Sequence, residues 1–532
     1  MGNSWPRRWL GALLLAVGAL PLFASLPTPL VDWPNHVARV HILSEMLHGR
    51  GAFWGRFYEL GSFFVPNAAL DVAILGLHEA GIGLQMAALV FVLASYLAFV
   101  GGVCALAHAW GSFDLTKIAL GALLFTTGPL YWGLVNYVLG VGLAMCLLAA
   151  WIAVSRRPWL RVAVALAAVS VLFFCHLIAA AVFAGLLFCL EVLELLARRQ
   201  LRTTGLSTLA AFALLLALRH ISPAGEEAIS GFVYAGGPSW QGIALYKLQL
   251  LWRTLFGGGW TADTLAALAL LLALGLALFA ARARMGRAGL LCVAALAALA
   301  LVTPERIGTG SMLDYRLTLL PLLLAVCAIR LEWRGPHAAR RATAAMGGVL
   351  GLHSLALGAA WYDAGVDFRA YAALTRDMPA GSVVIMASGR QLDQVGWYDH
   401  WSPPIGSIET SAVRQGVFVP MIFANPAQQP LAIRPAFVDL IQPLDLSSPE
   451  TVAASRLRLQ ALCPASDPAR RFTRVYVTTL YPQDWLRAVV APEAMLSDHA
   501  HFLLLDGCAL ARPPAEKPLI ADPAQRFPAT SG

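Results

Sequence analysis

Residues 156–199 read RRPWLRVAVALAAVSVLFFCHLIAAAVFAGLLFCLEVLELLARR. About 20 apolar residues cross a bilayer as one helix, because lipid leaves backbone N–H and C=O groups no partner except one another. The apolar run here is about 40 residues long, enough for two spans joined by a tight turn at His176. Arginines close both ends: Arg156, Arg157 and Arg161 before the run, Arg198, Arg199 and Arg202 after it. Positive clusters of this kind stay on the cytoplasmic side, which places the His176 turn on the outer face.

The rest of the chain follows the same pattern. Of its 532 residues, 58% are hydrophobic and only 13% are charged, and the mean hydropathy is +0.67. A soluble domain carries about 25% charged and 45–50% apolar residues, so the composition excludes a soluble enzyme, a disordered tail and a coiled coil. The net charge of +8 does not indicate nucleic acid, since the basic residues fall between apolar runs instead of gathering on one surface. Eight cysteines in so long a chain are no disulfide scaffold. Only Cys463 and Cys508 lie outside the expected spans, and in an oxidising compartment they are candidates for one bridge.

The first span is expected at about residues 10–26, behind Arg7 and Arg8. No small-x-small cleavage site occurs near Phe23-Ala24-Ser25, so it reads as an uncleaved span whose N-terminus is cytoplasmic. Further spans are expected at 85–109, 117–132, 137–155, 159–175, 178–197, 204–221, 263–281, 288–303, 317–331 and 344–361, about eleven in all. An inside start then puts every tight basic cluster in the cytoplasm. Residues 27–84 form an outer loop, and its part at 68–84, interrupted by Asp71, His78 and Glu79, lies in the interface or is only partly inserted. The expectation is a polytopic α-helical membrane body over 1–363 and an outer α/β domain over 364–532. In that tail, 382–387, 472–480 and 502–505 read as strands bounded by turn residues.

Candidate chemistry gathers on the outer face. The stretch Val31-Asp32-Trp33-Pro34-Asn35-His36-Val37-Ala38-Arg39 opens the first loop. Pro34 holds Trp33 extended and suits a first helical turn, which leaves Asp32 at or just before a helix N-terminus with His36 and Arg39 behind it. An N-cap is the plain alternative role for Asp32. His176 is either satisfied by a neighbouring carbonyl or part of a substrate site. In the loop at 304–316, Arg316 sits at the lip of the next span, where a guanidinium suits a phosphate. Pairing with Asp314 or reaching to headgroups are the alternatives. Arg306 lies in the same loop, Asn136 lies in the turn Gly133-Leu134-Val135-Asn136, and residues 397–401 (WYDHW) are dense in polar aromatics. No nucleotide-binding glycine loop, zinc-spaced Cys/His cluster or nucleophile elbow occurs, which disfavours an ATP-driven pump.

The chain resembles the GT-C superfamily of membrane glycosyltransferases, which take sugar from a polyprenyl-phosphate carrier. The resemblance rests on the topology, on the string Asp32-x-Pro34-x-His36-x-x-Arg39, and on the 133–136 turn, His176 and the 304–316 loop. It implies a bacterial inner-membrane enzyme with a periplasmic C-terminal domain and a glycan, lipid or protein acceptor. Asp32 would accept the proton of an acceptor hydroxyl, and the reaction would be a direct displacement with inversion. Arg316, with Arg306 or Arg39, would neutralise the departing lipid phosphate, while His36 and His176 orient the substrates. Many members carry Asp-Glu or Asp-x-Asp in the first loop; Trp33 follows Asp32 here, leaving one clear acid and the use of a divalent metal open. A transporter or lipid flippase, and a GT-C-like assembly protein without chemistry, are the competing classes.

Overall fold

The computed structural model describes residues 5–198, 205–225, 231–237, 239–255, 281–307, 310–389, 408, 410–463, 470–480, 482, 484–499 and 502–512, with isolated positions between 265 and 275. The expected span at 263–281 and the aromatic cluster at 397–401 lie largely or wholly outside them.

Ahead of the C-terminal sheet, the described helices are α1 (Trp5–Ala19), α2 (Trp33–Leu47), α3 (Ala68–Glu79), α4 (Leu84–Ala109), α5 (Thr116–Phe125), α6 (Gly128–Tyr131) and α7 (Val135–Ala153). There follow α8 (Pro158–Cys175), α9 (Leu177–Arg198), α10 (Leu206–Ile221), α11 (Trp240–Leu255), α12 (Arg287–Val302), α13 (Leu313–Ala328) and α14 (Pro336–Leu374). Five of the described helices are long and apolar enough to cross a membrane: α4, α7, α8, α9 and α14. Shorter apolar helices cover Arg8–Phe23, Thr116–Phe125, Leu206–Ile221 and Arg287–Val302.

The run that decided the class becomes α8 and α9. Pro158 occupies the first turn of α8, and His176 stands alone between the two helices in extended conformation (φ −168°, ψ 127°). Glycines set how closely the helices approach. A Cβ at Gly142 would lie 2.6 Å from backbone atoms of Phe99, and one at Gly102 would collide with the Gly142 carbonyl, so α4 and α7 pack backbone to backbone through small residues.

Four expected spans differ from the observed helices; the one at about 10–26 is the α-helix Trp5–Ala19 followed by a 3-10 turn over Leu20–Phe23. The one at 117–132 stops at Phe125, where Thr126 and Thr127 return their hydroxyls to the carbonyls of Leu123 and Leu124 (3.1 and 2.6 Å). Gly128 and Pro129 then start the separate short helix α6. The one at 317–331 begins earlier, at Leu313, and ends at Ala328, because Ile329–Trp333 pairs as a strand with Ala281–Met285. The one at 344–361 belongs to the 39-residue helix α14, about 58 Å long at 1.5 Å per residue and so longer than the apolar core of a bilayer, about 30 Å. It carries the chain through Asp363, Asp367 and Arg369 toward the C-terminal sheet.

That sheet has five strands in the order Met495–Asp498, Phe502–Asp506, Val475–Leu480, Val383–Ser388, Leu444–Asp445. Val383–Ser388 runs parallel to both of its neighbours, and the other pairings are antiparallel. All three stretches read as strands from the sequence are in it. Cys463 and Cys508 are joined by a disulfide beneath it.

The apolar core under the sheet is shared with the first loop. Ala38, Ile42 and Leu43 of α2, with Trp54, Phe57 and Tyr58, belong to it. Phe57 stacks on Phe418 with ring centres 4.1 Å apart, and Tyr58–Leu60 pairs with Leu431–Ile433. The opposite face of α2, through Trp33, Val37 and Val40, belongs to the core of the helical body. Helical periodicity thus wedges α2 between two cores, and its polar residues come out at the seam.

Candidate active site

Asp32 is held from behind by the turn after α6. The N–H groups of Val31 and Asp32 donate to the carbonyls of Tyr131 and Trp132 (3.0 and 3.2 Å). Gly133 closes this contact with φ +81°, and a Cβ there would lie 2.9 Å from the Asp32 nitrogen. Both facts demand glycine. Asp32 occupies the N-cap position of α2 with Pro34 in the first turn, yet its side chain makes no capping hydrogen bond. The plain alternative of an N-cap carboxylate is therefore not how the residue is used. Burial raises its pKa from 3.8 to about 7, against the opposing pull of the Arg316 guanidinium.

Arg316, in the first turn of α13, reaches the same place from the other side. The Tyr137 hydroxyl donates to the Arg316 carbonyl, and the edge of the Tyr137 ring meets His176 with centres 5.3 Å apart. His176 Nδ1 accepts from the Ile178 N–H (3.2 Å), which puts the hydrogen of a neutral ring on Nε2. The charge of Arg316 acts on both Asp32 and His176, and its Nε is buried with no partner among the described residues. Asn136, next to Tyr137, donates from Nδ2 to the Asn67 carbonyl (2.6 Å). Asn67 is in the left-handed region at φ 73°. The structure thus brings Asp32, His176 and Arg316 together around Tyr137, with Asn136 next to it in α7 turned to Asn67.

Arg39, Asp314 and Arg306 are committed or stand elsewhere, while His36 lies one helical turn from Asp32. Arg39 is fully buried and donates from Nε and Nη2 to the two carboxylate oxygens of Asp71 (2.8 and 3.1 Å). It is committed to α3 and is not the spare cation that the sequence suggested. Its Nη2 also lies 3.0 Å from His36 Nδ1, and burial together with the Arg39 charge lowers the His36 pKa well below 6.5. Asp314 is buried and pairs with Lys247 of α11 (2.8 Å), not with Arg316. Its second oxygen accepts the Tyr315 N–H (2.8 Å). Arg306 is exposed, on a two-residue strand opposite Val233.

Sequence reasoning missed Asp71, Lys247, Tyr137 and Asn67. Asp71 carried a signal: a carboxylate in an otherwise apolar helix needs a partner, and a search for one leads to Arg39.

A divalent cation does not fit these residues. Among the described residues Asp32 is the one carboxylate at the place, Asp71 and Asp314 are each bound to a cation, and an arginine faces Asp32. No group of three or more His, Cys, Asp or Glu suited to a metal occurs among the described residues.

The fold is similar to that of the crystal structure of ArnT from Cupriavidus metallidurans bound to undecaprenyl phosphate. The TM-score is 0.52 at 13% identity, covering 96% of this chain and 100% of that one. For ArnT from the same organism in the apo state the values are 0.48 and 13%, covering 95% and 98%. No protein-family model and no curated protein matches the chain. At this identity the likeness is one of fold, and the fold is the one that the resemblance read from the sequence implied.

Proposed function

We propose that this protein is a membrane glycosyltransferase of the GT-C type, transferring a sugar from a polyprenyl-phosphate donor to a glycan, lipid or protein acceptor of the cell envelope. In this reading it sits in a bacterial inner membrane with its N-terminus in the cytoplasm, crosses it about eleven times, and carries Asp32 and the C-terminal sheet on the outer face. The likeness to ArnT supports the fold, and the undecaprenyl phosphate on that protein supports the donor class.

The observation that carries the chemistry is a carboxylate without a capping bond, with a pKa of about 7, opposite the guanidinium of Arg316. A general base works best when its pKa lies near the working pH. Asp32 accepts the proton of an acceptor hydroxyl as that oxygen attacks the anomeric carbon. The bond from that carbon to the phosphate oxygen breaks, its electron pair leaves with the lipid phosphate, and the configuration inverts. Arg316 neutralises the charge growing on the leaving phosphate, where a fixed cation stabilises the transition state most. His176 and Asn136 orient the substrates.

The test is to incubate the purified full chain with a panel of polyprenyl-phosphate sugars and follow release of the lipid phosphate. The expected result is turnover of at least one donor, with a product inverted at the anomeric carbon and donor affinity weakened in Arg316→Ala. If folded protein consumes none of the donors, or the product retains configuration, the proposal fails.

A further inference from the structure

Arginine has five N–H donors and no acceptor, and it stays protonated at any physiological pH. The contact of Arg39 Nη2 with His36 Nδ1 at 3.0 Å therefore has one chemical meaning: the guanidinium donates and the ring nitrogen accepts. An Nδ1 that accepts carries no hydrogen, so the hydrogen of a neutral imidazole is on Nε2. Doubly protonating the ring would turn two N–H groups toward each other beside a second cation. The guanidinium cannot swing away to relieve this, because Asp71 holds it by two bonds in a fully buried pair.

The ring is fixed as well as the tautomer. Trp33 meets its edge at 6.2 Å between centres, and Phe423 from the C-terminal part meets it at 5.6 Å. His36 is one helical turn from Asp32, its N–H donating to the Asp32 carbonyl (3.2 Å), and residues so spaced share a helix face. His36 is partly exposed whereas Arg39 and Asp71 are buried.

We propose that Asp71 and Arg39 are positioning residues that lock His36 as a neutral imidazole with its hydrogen on Nε2, making it a fixed hydrogen-bond donor beside Asp32 for a sugar or acceptor oxygen. The function of this donor rests on the transferase reading; the lock does not. His36 in this role is never a base, which leaves proton abstraction to Asp32. The low pKa of His36 agrees. Among the described residues, the charged group against the ring is Arg39 of its own helix, held by Asp71 on α3, and Asp32 precedes the helix by one turn.

Nitrogen-15 NMR of the full chain labelled at histidine, in detergent, tests the lock, with the His36 signals assigned by their loss in His36→Gln. The expected spectrum is a neutral Nε2–H imidazole whose shifts do not move between about pH 5 and 8, the range in which an ordinary histidine titrates. In Asp71→Asn, where the guanidinium is no longer held against Nδ1, the same signals are expected to show both neutral tautomers. A wild-type His36 with its hydrogen on Nδ1, or one that titrates in that range, overturns the lock, and this decides it even if Asp71→Asn does not fold.

The donor role is read from transfer assays. His36→Gln, whose amide offers an N–H near the place of Nε2, is expected to keep kcat within about tenfold, and His36→Phe to lose about 100-fold, at the scale of one placed catalytic group. Wild-type kcat in His36→Phe overturns that role. A protein that transfers no sugar from any donor, yet shows the locked tautomer, refutes the transferase reading alone.

Discussion

Three aspartates, one before α2, one on α3 and one on α13, have different surroundings. Asp71 and Asp314 are each fully buried and bound to a cation, Arg39 and Lys247 respectively. Asp32 makes no capping bond, is partly exposed, and faces Arg316 through space. A buried pair leaves neither charge available for chemistry, and breaking it strands the survivor. A carboxylate that is desolvated but not ion-paired holds its proton loosely enough to exchange it near neutral pH. In the proposed transferase the two buried pairs hold the framework, and Asp32 is the carboxylate left without an ion pair among the described residues.

The sharpest way to break this contrast is Asp32→Asn, expected to lower sugar transfer by about 10³-fold, within the range for a lost general base. In the wild type, kcat/KM is expected to rise with pH and level off above about 7, where the carboxylate is ionised. Stability moves the opposite way. A carboxyl that binds its proton more tightly folded than unfolded favours the native state at low pH, and that advantage fades as pH climbs from 3.8 to about 7. Asp32→Asn is therefore expected to raise the Tm at pH 8, by an amount equivalent to roughly 1–2 kcal/mol once partial exposure is allowed for. A lower Tm with unchanged transfer would reverse the assignment.

Asp71→Ala should show the reverse profile, a stability loss of about 3–5 kcal/mol from stranding Arg39, measured by thermal unfolding in detergent. Replacing both partners with apolar residues (Arg39→Met with Asp71→Leu) is expected to recover most of it. Gly133→Ala should cost about 1–3 kcal/mol through its left-handed backbone and the crowding against Asp32. Its transfer rate should fall more than its donor KM changes, since Asp32 is displaced while Arg316 is not. Arg306→Ala is expected to do least, within about 0.5 kcal/mol in stability and about twofold in donor KM, because that side chain is exposed and outside the cluster.

Much of the fold was legible. The double-length apolar run yielded two helices and an extended His176 between them, and the strands of the tail came out within a few residues. The errors fell where local chemistry competes with hydropathy. Thr126, Thr127, Gly128 and Pro129 ended a helix that composition alone would have continued. At the site, Asp32, Asn136, His176 and Arg316 were named from their place in loops and at span ends. Arg39, Asp314 and Arg306 looked equivalent to them in the sequence and are not.

What the amino-acid sequence determined by itself was that the chain must bury long helices in lipid, and which loops carry the positive charge. Both follow from the local cost of exposing a backbone or a cation to hydrocarbon. Only the tertiary structure decided which charge meets which. Arg39 and Asp71 are 32 residues apart and Lys247 and Asp314 are 67 apart, and no local pattern encodes such a pairing. The wedge of α2 between two cores, the backbone contact at Gly133 and the meeting of α7 with α13 select the partners, and they leave Asp32 as the acid with a proton to exchange.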